Sequence, residues 1–61
     1  MPLKAIIIDD EFNARENLKI LLQDHCPELE ILGAAESAKE ARTLIESTEP
    51  DLIFLDIAMP N

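Results

Sequence analysis

Two near-continuous aliphatic runs, each followed by aspartate, constrain the fold of this chain more than any other feature. The first covers residues 3–8 and precedes Asp9 and Asp10, and the second covers residues 50–55 and precedes Asp56. Such runs are typical of strands that are buried on both faces of a parallel sheet. Functional groups in these sheets collect at the carboxyl ends of the strands. If the two strands are neighbours, the sequence predicts that the three aspartates converge.

The segment between these runs predicts two helices and one further strand. Apolar residues recur at spacings of three and four over residues 12–25, which predicts an amphipathic helix that ends before Pro27. Residues 29–35 predict a strand, and Glu30 within it indicates an edge position. The apolar face of the helix is expected to consist of Ala14, Leu18, Leu21, Leu22 and His25.

A second helix is predicted by a capping box. Ser37 and Glu40 have the spacing of this motif, so the helix should begin near Ala38, and Pro50 should end it. The resulting order is strand, helix, strand, helix, strand, with short connections. Right-handed crossovers turn this order into a parallel sheet with helices on its faces. We therefore expect an α/β fold in which residues 1–61 form half of a doubly wound domain.

Charge and composition exclude several classes of partner. Thirteen acidic and five basic residues give a formal charge of −8, which disfavours contact with nucleic acid or an anionic membrane. The single Cys26 cannot form an internal disulfide, and the single Gly33 argues against a glycine-rich phosphate loop. No apolar run approaches the ~20 residues of a membrane span. We expect a cytoplasmic protein.

The three aspartates predict a metal-assisted site. Carboxylates that face one point repel one another, and a hard cation such as Mg²⁺ relieves that repulsion through oxygen ligands. Asp56 stands alone at its strand end and is the candidate nucleophile, whereas Asp9 and Asp10 are candidates for metal binding. The backbone carbonyl of Ala58, in the loop that follows, is a candidate neutral ligand.

Each of these residues also has a simpler interpretation. Asp10 could cap the first helix, and Asp56 could be a turn residue at a strand end. His25 is expected to be a partly buried surface histidine, and Phe12 and Phe54 to pack in the core or on the sheet. The presence of acidic residues at both strand ends weakens the turn interpretation of Asp56.

The two acidic motifs together resemble the receiver domain of two-component response regulators. The matching stretches are Asp9-Asp10-Glu11 after the first strand and Leu-Asp-Ile-Ala-Met-Pro at residues 55–60. The resemblance implies the N-terminal half of a flavodoxin-like fold, with strand order 2-1-3. It implies a phosphoacceptor at Asp56, Mg²⁺ bound directly by Asp10, Asp56 and the Ala58 carbonyl, and a water-mediated or orienting role for Asp9. It also implies a histidine kinase as phosphodonor, and residues 14–18 with Ala58 resemble regulators that carry a LytTR-type DNA-binding domain.

Three functions remain open at this point. In the first, the chain is a receiver module, impaired when alone because the Thr or Ser and the Lys that receivers use after their fourth and fifth strands are absent. The second is an Mg²⁺-dependent phosphohydrolase, which Ala58 disfavours because such enzymes carry a second Asp there as general acid. The third is a fragment without chemistry that self-associates through the edge of the third strand or by exchange of elements.

Overall fold

The computed structural model describes residues 3–56, with the side chain of Asp56 outside the description. Its elements alternate as the sequence predicts. They are β1 (Leu3–Asp9), α1 (Phe12–His25), β2 (Leu29–Ala35), α2 (Ala38–Thr48) and β3 (Leu52–Asp56). Neither helix of residues 3–56 is long and apolar enough to cross a bilayer.

The three strands form one parallel sheet in the order β2-β1-β3. This confirms the predicted α/β fold and strand order. The crossover from β1 to β2 and the crossover from β2 to β3 run in opposite directions across the sheet, so right-handed connections place α1 and α2 on opposite faces. As predicted from Glu30, β2 is an edge strand, and Glu30 is exposed.

The core is centred on β1, because this strand alone has a neighbour on each side. Ala5, Ile6 and Ile7 are completely buried. On the α2 face, Ile6 and Ile8 pack with Ala35 and Ala41. Leu32, Leu44 and Ile45 surround this cluster and are partly buried.

The connections between elements are held by local hydrogen bonds. The Ser37 hydroxyl accepts a hydrogen bond from the Glu40 N–H at 3.2 Å, as the capping box predicts. Helix α2 ends at Thr48, and the C-cap residue Glu49 adopts a left-handed conformation with φ of 49°. Beyond Pro50, the Asp51 carboxylate accepts from the Lys4 N–H at 2.9 Å, and the Asp51 N–H donates to the Lys4 carbonyl at 2.7 Å. This pair of bonds sets where β3 joins β1.

The orientation of α1 differs from the prediction. Leu21 and His25 are exposed, whereas Arg15 and Lys19, which the pattern assigns to the polar side, are half-buried. Phe12 is 63% exposed, so its assignment to the core is wrong. The contact face is a narrow strip that includes Ala14, Leu18 and Leu22, because three strands offer α1 little surface beyond β1 and β2.

Candidate functional site

The ends of β1 and β3 lie side by side at one edge of the sheet. The two strands are parallel, and Asp9 is the register partner of Asp56. Neighbouring strands are about 4.8 Å apart, and strands that run the same way end at the same edge. The backbone therefore brings these two positions together, as the two aliphatic runs predict.

Asp9 is a buried acid with a defined hydrogen bond. It is only 4% exposed, and its Oδ1 atom accepts a hydrogen bond from the Glu11 N–H at 2.9 Å. This bond folds the carboxylate back over the turn between β1 and α1. The bond fixes the direction of the carboxylate at the end of β1.

Asp10 has the opposite environment. It is exposed and lies one residue beyond the strand. The N-cap residue of α1 is Glu11, whose side chain makes no capping bond, and Asp9 satisfies the Glu11 N–H. The interpretation of Asp10 as the helix cap is therefore wrong, and its carboxylate is accessible to solvent and to a cation.

Arg15 contributes to this turn in a way that the sequence pattern does not predict. Its Nη1 atom donates a hydrogen bond to the Asp9 carbonyl oxygen at 2.8 Å. The guanidinium carbon also lies 5.5 Å from the centroid of the Phe12 ring. A signal was available, because a cation in the first turn of a helix is disfavoured by the helix dipole and needs a compensating partner.

The remaining predicted ligand positions are described only in part. Ala58 lies outside the described residues, as does the side chain of Asp56. Among the side chains that are described, no group of three His, Cys, Asp or Glu residues could hold a metal ion. The available donors are oxygen atoms, which are the ligands that Mg²⁺ prefers.

A cleft of about 580 Å³ opens between α2 and the sheet. It lies beside the acidic edge, which comprises Asp9, Asp10 and Asp56 at the carboxyl ends of β1 and β3. Its apolar wall consists of Ile8, Ala41, Ile45 and Leu55, and Asp9 and Asp10 contribute to its lining. Arg42 is the only basic residue among the described lining residues. The described lining of the cleft is therefore mainly apolar.

Comparison with known proteins identifies the family. The family model for the response regulator receiver domain matches residues 5–61. The chain belongs to the response regulator receiver family. Receiver domains are phosphoacceptors and not enzymes, so membership excludes the phosphohydrolase alternative for this domain. Receiver domains generally use Mg²⁺ at the phosphorylation site, in keeping with the oxygen donors found here.

Curated relatives match nearly the whole chain. The transcriptional regulatory protein BtsR of Salmonella typhi is 48% identical over 58 residues, which is 95% of this chain and 24% of the relative. BtsR of Escherichia coli K12 is 43% identical over 58 residues, again 95% of this chain and 24% of the relative. The sensory transduction protein LytT of Bacillus cereus is 40% identical over 57 residues, which is 93% of this chain and 23% of the relative. The chain thus spans about a quarter of the length of these relatives. No solved structure gives a significant match.

Proposed function

We propose that this chain is the phospho-accepting part of a two-component response regulator, with Asp56 as the residue that a histidine kinase phosphorylates. The observation that supports this most strongly is the register pairing of Asp9 with Asp56, next to the exposed Asp10. In a receiver domain, acidic residues at two adjacent strand ends provide both a nucleophile and a cation site.

The residues at the two strand ends and in the following loop have distinct roles in this proposal. Asp10, Asp56 and the Ala58 carbonyl would hold Mg²⁺, and Asp9 would orient the site through its bond to the Glu11 N–H. When bound, the ion offsets the negative charge of the incoming phosphoryl group. An Asp56 carboxylate oxygen forms the new bond to phosphorus while the bond between phosphorus and the kinase imidazole nitrogen breaks. The imidazole leaves with the electron pair of that bond.

The wider assignment rests on the relatives. We infer that residues 1–61 correspond to the N-terminal half of the receiver domain, and that the full-length protein is a cytoplasmic transcription regulator with a LytTR-type DNA-binding domain. The matches to proteins named transcriptional regulatory protein BtsR and sensory transduction protein LytT support this inference. Contact with DNA is assigned to that further domain, since this segment carries a formal charge of −8.

Substitution of the phosphoacceptor tests the proposal. Beryllofluoride binding in the presence of Mg²⁺ is measured for the parent and for Asp56→Asn, both in this chain and in a longer chain that supplies the rest of the receiver domain. Asp24→Asn, an exposed position on α1, is the matched control. We expect the longer parent and the control to bind and Asp56→Asn to lose binding. Equal binding by Asp56→Asn in the longer chain would overturn the assignment.

A second property, self-association, is favoured by the outer edge of β3. Among residues 3–56 this strand pairs only with β1, and Ile53 and Leu55 are 47% and 60% exposed. Unpaired apolar edges are templates for pairing with another chain. We infer that two copies of this chain associate through β3 or by exchange of elements.

Light scattering after size-exclusion chromatography tests this association. Ile53→Lys places a charge on the β3 edge, whereas Ile20→Lys makes the same change at a similarly exposed position on α1. We expect Ile53→Lys to be monomeric and Ile20→Lys to behave as the parent does. A parent that is monomeric at every concentration at which it is folded would refute the inference.

A further inference from the structure

Arg15 links the first turn of α1 to the end of β1. Its Nη1 atom donates to the Asp9 carbonyl at 2.8 Å, while its backbone N–H donates to the Glu11 carbonyl at 3.0 Å. The side chain is half-buried and lies against the Phe12 ring. These contacts hold the guanidinium at the turn that carries the acidic residues.

The Arg15 bond and the Asp9 bond fix the same turn from two sides. The Asp9 carboxylate accepts from the Glu11 N–H at 2.9 Å, and the Asp9 carbonyl accepts from Arg15. Because the carboxylate and the backbone carbonyl of Asp9 are both held, the direction in which Asp10 leaves the strand is restricted. Each of the two bonds joins one charged and one neutral partner, and such bonds are stronger than those between neutral groups.

The placement of Arg15 opposes the usual electrostatics of a helix. Cations are disfavoured in the first turn, where the free N–H groups carry partial positive charge. The first turn of α1 contains no acidic residue that would offset this charge. Three acidic residues immediately precede the helix instead, and Arg15 contacts the carbonyl of the first of them, Asp9.

We propose that Arg15 is a positioning residue that preorganises Asp9 and Asp10 for Mg²⁺. This inference rests on the proposed function, because it assumes that the acidic edge binds the ion. Two effects act in opposite directions: the positive charge repels a cation, whereas the hydrogen bond holds the ligands in place. The positioning effect dominates, because outer residues that orient metal ligands typically change metal affinity by about 10-fold to 100-fold.

Substitutions at position 15 separate the two effects. Arg15→Met removes the charge and the donor but keeps an unbranched side chain against Phe12. Citrulline at this position, accessible by chemical synthesis in a chain of 61 residues, keeps an N–H donor without the charge. Lys19→Met is the matched control, since it removes one positive charge from a half-buried position of the same helix.

The first measurement is Mg²⁺ affinity by calorimetry. We expect the dissociation constant of Arg15→Met to rise by about 10-fold or more. The citrulline chain should bind at least as tightly as the parent, because it keeps the restraint and loses the repulsion. Lys19→Met should remain within about twofold of the parent, since Lys19 has no contact with the turn comparable to that of Arg15.

The second measurement needs no metal. Hydrogen exchange of the Glu11 amide reports directly on its bond to Asp9, and the Ile7 amide in the buried centre of β1 reports on the whole fold. Positioning by Arg15 predicts that Arg15→Met raises the exchange rate of the Glu11 amide, relative to the parent, more than that of the Ile7 amide. Citrulline should restore the protection of Glu11. A uniform increase at both amides would reduce Arg15 to a general stabilising residue and overturn the inference.

The outcomes also distinguish this inference from the proposed function. If the parent binds Mg²⁺ in a manner that depends on Asp56 but Arg15→Met binds equally well, the inference alone fails. If neither the parent nor the longer chain that supplies the rest of the receiver domain shows Mg²⁺ binding that depends on Asp56, the proposed function fails and the role of Arg15 fails with it.

Discussion

At the scale of single residues, Gly33 is the position where one methyl group has a defined steric consequence. A Cβ atom there would lie 3.1 Å from Leu44 Cδ1 and 3.3 Å from Cδ2. Both distances are shorter than ordinary carbon contacts, so Leu44 would have to move. We expect Gly33→Ala to lower the free energy of unfolding by about 1 kcal/mol in urea titrations.

The Leu44→Ala background provides the control for this prediction. With the clash removed, the added methyl group should be neutral or stabilising, because alanine loses less backbone entropy than glycine on folding. An equal loss of stability in both backgrounds would show that Leu44 is not the cause.

Residue patterns predicted the acidic edge more completely than they predicted its hydrogen bonds. Asp9 and Asp10 follow an aliphatic run, and that pattern is visible in the sequence. Which of the two caps the turn depends on the backbone angles between strand and helix, and the structure selects Asp9. The role of Arg15 was missed because periodicity assigns a charged residue to solvent, whereas a contact with a backbone carbonyl leaves no periodic signal.

At the scale of secondary structure, the start of α2 depends on one hydroxyl group. Ser37 accepts from the Glu40 N–H, which otherwise has no partner in the helix. We expect Ser37→Ala to lower the free energy of unfolding by about 1 kcal/mol. Ser47→Ala is the matched control, because the Ser47 hydroxyl only donates to the Leu44 carbonyl at the other end of the helix. A loss at Ser47 as large as that at Ser37 would contradict the capping role.

The elements were predictable because local chemistry marks their ends. The capping box marks α2, Pro27 follows α1, and Glu30 marks the edge strand, so existence and order of the elements agree with the structure. The rotation of α1 was not predictable in this way. Leu21 belongs to the apolar pattern yet is exposed, because the contact face also depends on how many strands lie beneath the helix.

At the scale of the whole molecule, the net charge and the apolar edge of β3 have opposite effects on self-association. A formal charge of −8 opposes association of two copies, whereas the exposed β3 edge favours it. The Debye length falls from about 30 Å at 0.01 M salt to about 3 Å at 1 M, so added salt screens the repulsion between the two copies. We expect self-association, measured by sedimentation equilibrium, to strengthen over this range.

The Ile53→Lys variant is the control for the salt dependence and should stay monomeric throughout. Association that weakens as salt is added would point to ion pairs between copies and would contradict pairing through the apolar edge. The small core makes this balance important, since chains of about 60 residues bury only about 60% of their unfolded surface.

The most direct test of the acidic edge is an Mg²⁺ titration of the chain followed by backbone amide chemical shifts. If the ends of β1 and β3 share one ion, the amides of Asp10 and Asp56 will shift together with a single dissociation constant. Asp56→Asn should then weaken binding by about 10-fold or more at both strand ends. Shifts confined to the end of β1, or equal affinity in Asp56→Asn, would contradict a shared site.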